Sequence, residues 1–240
     1  MNSDIKAYIA EFIGTFTLVT LGSASVWFIS QPGYTGGTTV PAFAHGISII
    51  IAAYSIGYLS GAHINPAVTI AVAIAGGISW AKAGIYIVVQ IIAAIVAAFI
   101  LNALLTGQGG AAPATQFGAF SYNANFTTSI GALFIEAIAT FLLAFVVCQA
   151  AVKGKAGDLA GLAIGLTLAA NIFAFGGITG ASLNPARSIG PALVAGRLGE
   201  IWIYIIGPVL GAAVAGIVSR YVLTEDVDKT PPVRNTGRRQ

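Results

Sequence analysis

Ser60-Gly61-Ala62-His63-Ile64-Asn65-Pro66-Ala67-Val68-Thr69 decides the fold, because a second version of it stands in Gly180-Ala181-Ser182-Leu183-Asn184-Pro185-Ala186-Arg187-Ser188. Asn is a good helix N-cap, and Pro at the first helical position loses nothing, since its N–H would be unpaired there anyway. Each Asn-Pro-Ala therefore reads as the start of a helix. The apolar stretches that follow, roughly 65–75 and 184–194, are too short to cross a bilayer core, which takes about 20 residues. One Asn-Pro-Ala is a weak signal. Two, each following a Gly-Ala pair and an apolar span, are specific.

Outward from these motifs, long apolar runs fall near 6–29, 41–59, 80–105, 129–151, 159–176 and 200–223, and each is long enough to span. The chain is 57% hydrophobic and 8% charged, against roughly 25% charged for a soluble domain. It could not cover a water-facing surface, so its surroundings are expected to be the lipid bilayer. The small net charge of +3, with most cations between or beyond the apolar runs, excludes nucleic acid as a partner. Asp4 and Glu11 interrupt any basic leader, and the apolar stretch after them is too long for a signal peptide. It reads as a retained first span. The single cysteine, Cys148, excludes an intrachain disulfide and reads as a small packing residue.

Two further pairings complete an internal repeat. Ala10-Glu11-Phe12-Ile13-Gly14-Thr15-Phe16 resembles Ile135-Glu136-Ala137-Ile138-Ala139-Thr140-Phe141, and Ile85-Tyr86-Ile87 resembles Ile203-Tyr204-Ile205. The copies keep their order, in halves of about 6–105 and 129–223. Each half holds three spans, an odd number, so the second must insert upside down. The expected fold is all-α: six transmembrane helices plus two half-helices in an inverted repeat, one channel domain over 1–223. The polar, proline-bearing tail 224–240 is expected to be disordered. With six spans both termini share a side. That side carries Lys6, Lys82, Lys153, Lys155, Arg220, Lys229, Arg234, Arg238 and Arg239, against Arg197 on the other. This bias makes both termini cytoplasmic.

Short, broken segments at matching places in inverted halves point to a permeation site at the midplane. Inversion brings the two half-helix starts together there. Each N-terminus carries roughly half a positive charge, so the meeting point repels cations and protons. The amides of Asn65 and Asn184 would donate to a passing oxygen, and carbonyls around Gly61–Ile64 and Gly180–Leu183 would accept from it. Arg187, an intramembrane cation, belongs against a wet cavity. Glu11 and Glu136 occupy equivalent places in the first and fourth spans. They read either as a proton relay or as acceptors pinning loop N–H groups, and the lack of further carboxylates favours pinning. Glu200 and the tail acids are expected to be solvated. The chain shows no Ser/His/Asp set, metal-ligand cluster or phosphate-binding loop. It is expected to need no cofactor and to be no enzyme.

The chain resembles the major intrinsic protein (aquaporin) family over 6–223. The carrying motifs are Ala10-Glu11-Phe12-Ile13-Gly14-Thr15, Ser60–Thr69 and Gly180–Ser188. His63, in the loop before Asn65, reads as a loop-bracing residue near the cytoplasmic mouth, like Glu11 and Glu136, rather than as a direct gate. The resemblance implies a homotetramer with one pore per subunit and two half-helices meeting at its centre, which puts Asn65, Pro66, Ala67, Asn184, Pro185 and Ala186 at the pore centre. It also implies an outer selectivity filter at His45, Ile172, Ala181 and Arg187. A titrating imidazole at His45 would make permeation pH-sensitive. This quartet is similar to that of plant tonoplast-type members, which suggests ammonia, hydrogen peroxide or urea beside water, in a plasma or vacuolar-type membrane. A glycerol facilitator ranks lower, because glycerol-conducting members typically carry Asp where this chain has Ser188; Ala192 and Tyr204 also fit the water side, while Ile205 replaces a usual Trp. An ion-coupled secondary transporter and a pore-less junction protein are the rivals from other classes. The former lacks midplane carboxylates beyond Glu11 and Glu136, and the latter would not need both Asn residues and Arg187.

Overall fold

Small side chains face inward and large apolar ones outward. On the helix Trp80–Leu105, Ala93, Ala94, Ala97 and Ala98 are buried, while Ile85, Val88, Ile92 and Phe99 are exposed. Lipid offers no hydrophobic penalty to an outward Ile or Phe, so helices associate by close packing of small residues instead. The computed structural model describes residues 2–31, 33–105 and 120–223. The tail 224–240 and residues 106–119 of the long connecting loop lie outside these.

Among the described residues, six helices are long and apolar enough to cross a membrane. They are α1 (Ser3–Ile29), α2 (Thr39–Ser60), α4 (Trp80–Leu105), α5 (Ser129–Val146, continued by a π-helical turn Val147–Val152), α6 (Ala160–Phe175) and α8 (Ile203–Ile217, continued by Val218–Val222). The two short helices are α3 (Pro66–Ile74) and α7 (Pro185–Val194). They start where the sequence places them, for the reason it gives. Asn65 Oδ1 accepts from the N–H groups of Ala67 (2.8 Å) and Val68 (3.4 Å), and Asn184 Oδ1 from those of Ala186 (3.0 Å) and Arg187 (3.3 Å). Each proline occupies the first turn.

Packing ties the halves to each other. Half-helix α7 lies along α4 and half-helix α3 along α8, so each rests on the last span of the opposite half. The closeness of α7 to α4 depends on Gly190: a Cβ there would stand 2.5 Å from the backbone of Ala94. α2 and α6, the second helices of the two halves, cross at Gly46 and Gly165. A Cβ on Gly46 would meet the Gly165 carbonyl oxygen at 2.7 Å, and one on Gly165 the Gly46 oxygen at 2.5 Å. Gly46 and Gly165 hold the same place relative to Asn65 and Asn184, so equivalent residues touch as they would on a two-fold axis.

Candidate functional site

Between α2 and α3, and again between α6 and α7, the chain crosses the protein interior without helix. In these loops Ala62, Ile64, Ala181 and Leu183 have positive φ, at 47°, 43°, 47° and 56°. Such conformations cost of order 1–3 kcal/mol each for residues with side chains, so something must hold them. Two buried carboxylates supply the bonds. Glu11 accepts from Ser60 Oγ (2.7 Å), His63 N (2.9 Å) and Ile64 N (2.7 Å). Glu136 accepts from Thr179 Oγ1 (2.7 Å), Ser182 N (3.1 Å) and Leu183 N (2.9 Å). Each carboxylate thus faces donors of the loop next to it. Gln90 Nε2 adds a further bond to Glu11 (2.7 Å).

The repeated tyrosines, for which the sequence suggested no partner, complete both loops. Tyr86 donates its hydroxyl to the Ser60 carbonyl (3.0 Å), and Tyr204 to that of Thr179 (2.9 Å). The signal was available: a polar tip repeated in two apolar helices at matching positions needs a partner in both. His63 contacts Thr69 Oγ1 through Nδ1 (3.3 Å) and meets the Tyr86 ring edge-on at 5.3 Å.

The two loops meet through a reciprocal pair of bonds. Asn65 Nδ2 donates to the Leu183 carbonyl (2.8 Å), and Asn184 Nδ2 donates to that of Ile64 (2.9 Å). Each amide nitrogen has two hydrogens. One of them locks the opposite loop. The carbonyls expected to serve a permeant therefore have a first duty within the protein: Ile64 and Leu183 accept from the asparagines, and Ala181 from Arg187.

Arg187 is 3% exposed and held on three sides. Its Nε donates to His45 Nε2 (2.7 Å), one terminal nitrogen donates to the Ala181 carbonyl (3.0 Å), and the Phe120 ring lies 4.3 Å from the guanidinium carbon. His45 Nδ1 in turn lies 2.7 Å from the Pro41 carbonyl. Ile172 lines the same outer cavity as Arg187, Phe120, Gly180 and Pro41, of 400 Å³. A second cavity of 380 Å³, on the other side of the asparagines, is lined by Asn65, His63, Val68, Leu143 and Tyr54. His45, Ile172 and Ala181 are each no more than 1% exposed. Phe120 escaped the sequence reading. It sits in a loop with no repeat partner and no charge to draw attention. Glu200, expected to be solvated, is half-buried beside Phe120, Ser121 and Arg197 in a 260 Å³ hollow, with Oε2 closed off. The turn before α8 folds it under the loop.

Residues 1–219 match the family model described as "Major intrinsic protein". The chain belongs to the major intrinsic protein family. It is a multi-pass membrane channel. It is 43% identical over 212 residues to Aquaporin NIP1-3 of Oryza sativa subsp. japonica, covering 87% of this chain and 70% of that one. It is 41% identical over 229 residues to "Glycerol uptake facilitator protein-like 6" of Lactiplantibacillus plantarum, covering 92% of this chain and all of the relative. The solved aquaglyceroporin of Plasmodium falciparum has the same fold, with a TM-score of 0.78, 23% identity, and coverage of 92% of this chain and 97% of that one. These relatives correct the tonoplast-type kinship drawn from the filter quartet: they are a NIP-type aquaporin and a glycerol-facilitator-like protein.

Proposed function

We propose that this channel passes water and small neutral solutes in single file and excludes protons and ions. The observation that carries the reading is the reciprocal bonding of Asn65 and Asn184 between two cavities. Two capped half-helices begin there, and each N-terminus contributes roughly half a positive charge. A neutral molecule can accept the free amide hydrogens, whereas a cation meets two positive poles and then Arg187. In this reading His45, Ile172, Ala181 and Arg187 form the outer filter, Asn65, Pro66, Ala67, Asn184, Pro185 and Ala186 the pore centre, and Glu11, Glu136 and His63 brace the loops. Arg187 has five N–H donors, of which two bind protein, and the others are turned over to the permeant. Both termini are cytoplasmic, and four copies assemble through the exposed apolar faces of their helices; a single-chain mass in lipid nanodiscs would count against that assembly.

A glycerol facilitator is the second reading, favoured by the bacterial relative matched over its full length. Swelling of proteoliposomes under water, glycerol, urea and ammonia gradients separates the two. The expected order is fast water, measurable urea or ammonia, and slow glycerol. Arg187→Val is expected to admit larger solutes and to raise proton leak. Glycerol flux equal to water-driven equilibration would promote the second reading, and no flux at all would sink both.

A further inference from the structure

The geometry points to Gly22, on α1 and outside the filter quartet, as a specificity-determining residue that acts by positioning His45. This rests on the proposed role of His45 and Arg187 in the outer constriction. Gly22 is buried, and a Cβ there would collide with the His45 ring, at Nε2 most closely and then at Cδ2 (2.5 Å) and Cε1 (2.7 Å). The colliding atom is the one that accepts the Arg187 Nε–H. The ring has no slack to give. Pro41 O holds Nδ1 at 2.7 Å, Arg187 holds Nε2 at 2.7 Å, and the ring is 1% exposed. The Gly22 backbone is also fixed, since Ser25 Oγ donates to its carbonyl at 2.6 Å. α1 therefore leaves a notch one methyl deep, and His45 fills it. The position of the ring sets that of the guanidinium, and the two together set the width of the passage.

Adding a methyl at position 22 drives the ring off α1 and toward Arg187. The ring crowds the guanidinium and both are pushed into the passage, which narrows, so larger solutes suffer more than water. The test is stopped-flow permeability of proteoliposomes carrying the unaltered chain, Gly22→Ala, His45→Ala and the double variant. The readout is the ratio of permeabilities for water and for the largest of glycerol, urea and ammonia that the unaltered chain passes. A merely misfolded fraction lowers both fluxes together and leaves this ratio alone. Gly22→Ala is expected to lower the solute-to-water ratio by about tenfold, the low end of what one methyl group's worth of space discriminates. On the His45→Ala background the same change is expected to do nothing, because the two residues act through one contact. An unchanged ratio in Gly22→Ala, or an equal effect with and without the imidazole, overturns the inference. Should Gly22→Ala yield no folded protein, recovery of folded channel in the double variant supports the notch, and failure of both overturns it. An unaltered chain that passes nothing refutes the underlying reading instead, and the inference with it.

Discussion

His45 has both ring nitrogens committed. Pro41 offers a carbonyl, which can only accept, so Nδ1 carries the hydrogen and Nε2 keeps its lone pair for Arg187. A second proton would set one N–H against another at 2.7 Å. This opposes the pH sensitivity that the sequence suggested for a histidine at this place. Water permeability is expected to stay flat from about pH 5 to 8, the range in which an ordinary imidazole changes charge. A chain carrying His63→Ala isolates the effect, since these are the two histidines present. A steep pH dependence in that variant would mean that the ring leaves Arg187. The fate of His45 could not be read from the sequence. Spacing from the motifs nominated the residue, but which atom its nitrogens meet depends on Arg187 folding back from a helix 142 positions away.

At the scale of elements, the half-helices were legible because their caps are local, and the carboxylates because both are charged and repeated in apolar spans. Asn-Pro-Ala states its own cap, and the matching Glu11 and Glu136 announce that each loop needs an acceptor. The tyrosine contacts, though repeated and closing over only 26 and 25 positions, carry no charge that demands a partner, and the Phe120 contact with Arg187 has no repeat to announce it. The brace geometry makes its own prediction. Glu136 accepts three bonds on two oxygens, which a carboxylate can do and a carboxamide cannot. In Glu136→Gln one amide nitrogen must face a donor, leaving a buried N–H or hydroxyl unpaired at a cost of about 1–3 kcal/mol. The loop holding Ala181 and Leu183 at positive φ loses part of its hold. Thermal unfolding in detergent is expected to come several degrees earlier, about 2–4 °C per kcal/mol for a chain of this size, with lower water flux per channel. An unshifted unfolding temperature would deny Glu136 the bracing role.

For the whole molecule, six spans with an odd number per half were plain in hydropathy and in the repeat, and the helices follow the runs closely. What hydropathy could not convey is that each half-helix packs on the opposite half, or that Gly46 and Gly165 meet at the crossing. The charge bias still makes a whole-molecule prediction. A cysteine introduced at residue 2 and one introduced at residue 125 should react with a membrane-impermeant thiol reagent from opposite sides, residue 2 from the cytoplasmic side. The native Cys148 is buried and should stay silent. Labelling of both from one side would break the proposed topology.

The crossed amide bonds carry a consequence for the birth of the protein. While the ribosome is still making the second half, Ile64 has a carbonyl without its donor and Asn65 has a hydrogen without its acceptor. The first three spans must wait in the bilayer with an unfinished loop between them, until residue 184 arrives to close it. A passage framed by both asparagines exists only from that moment.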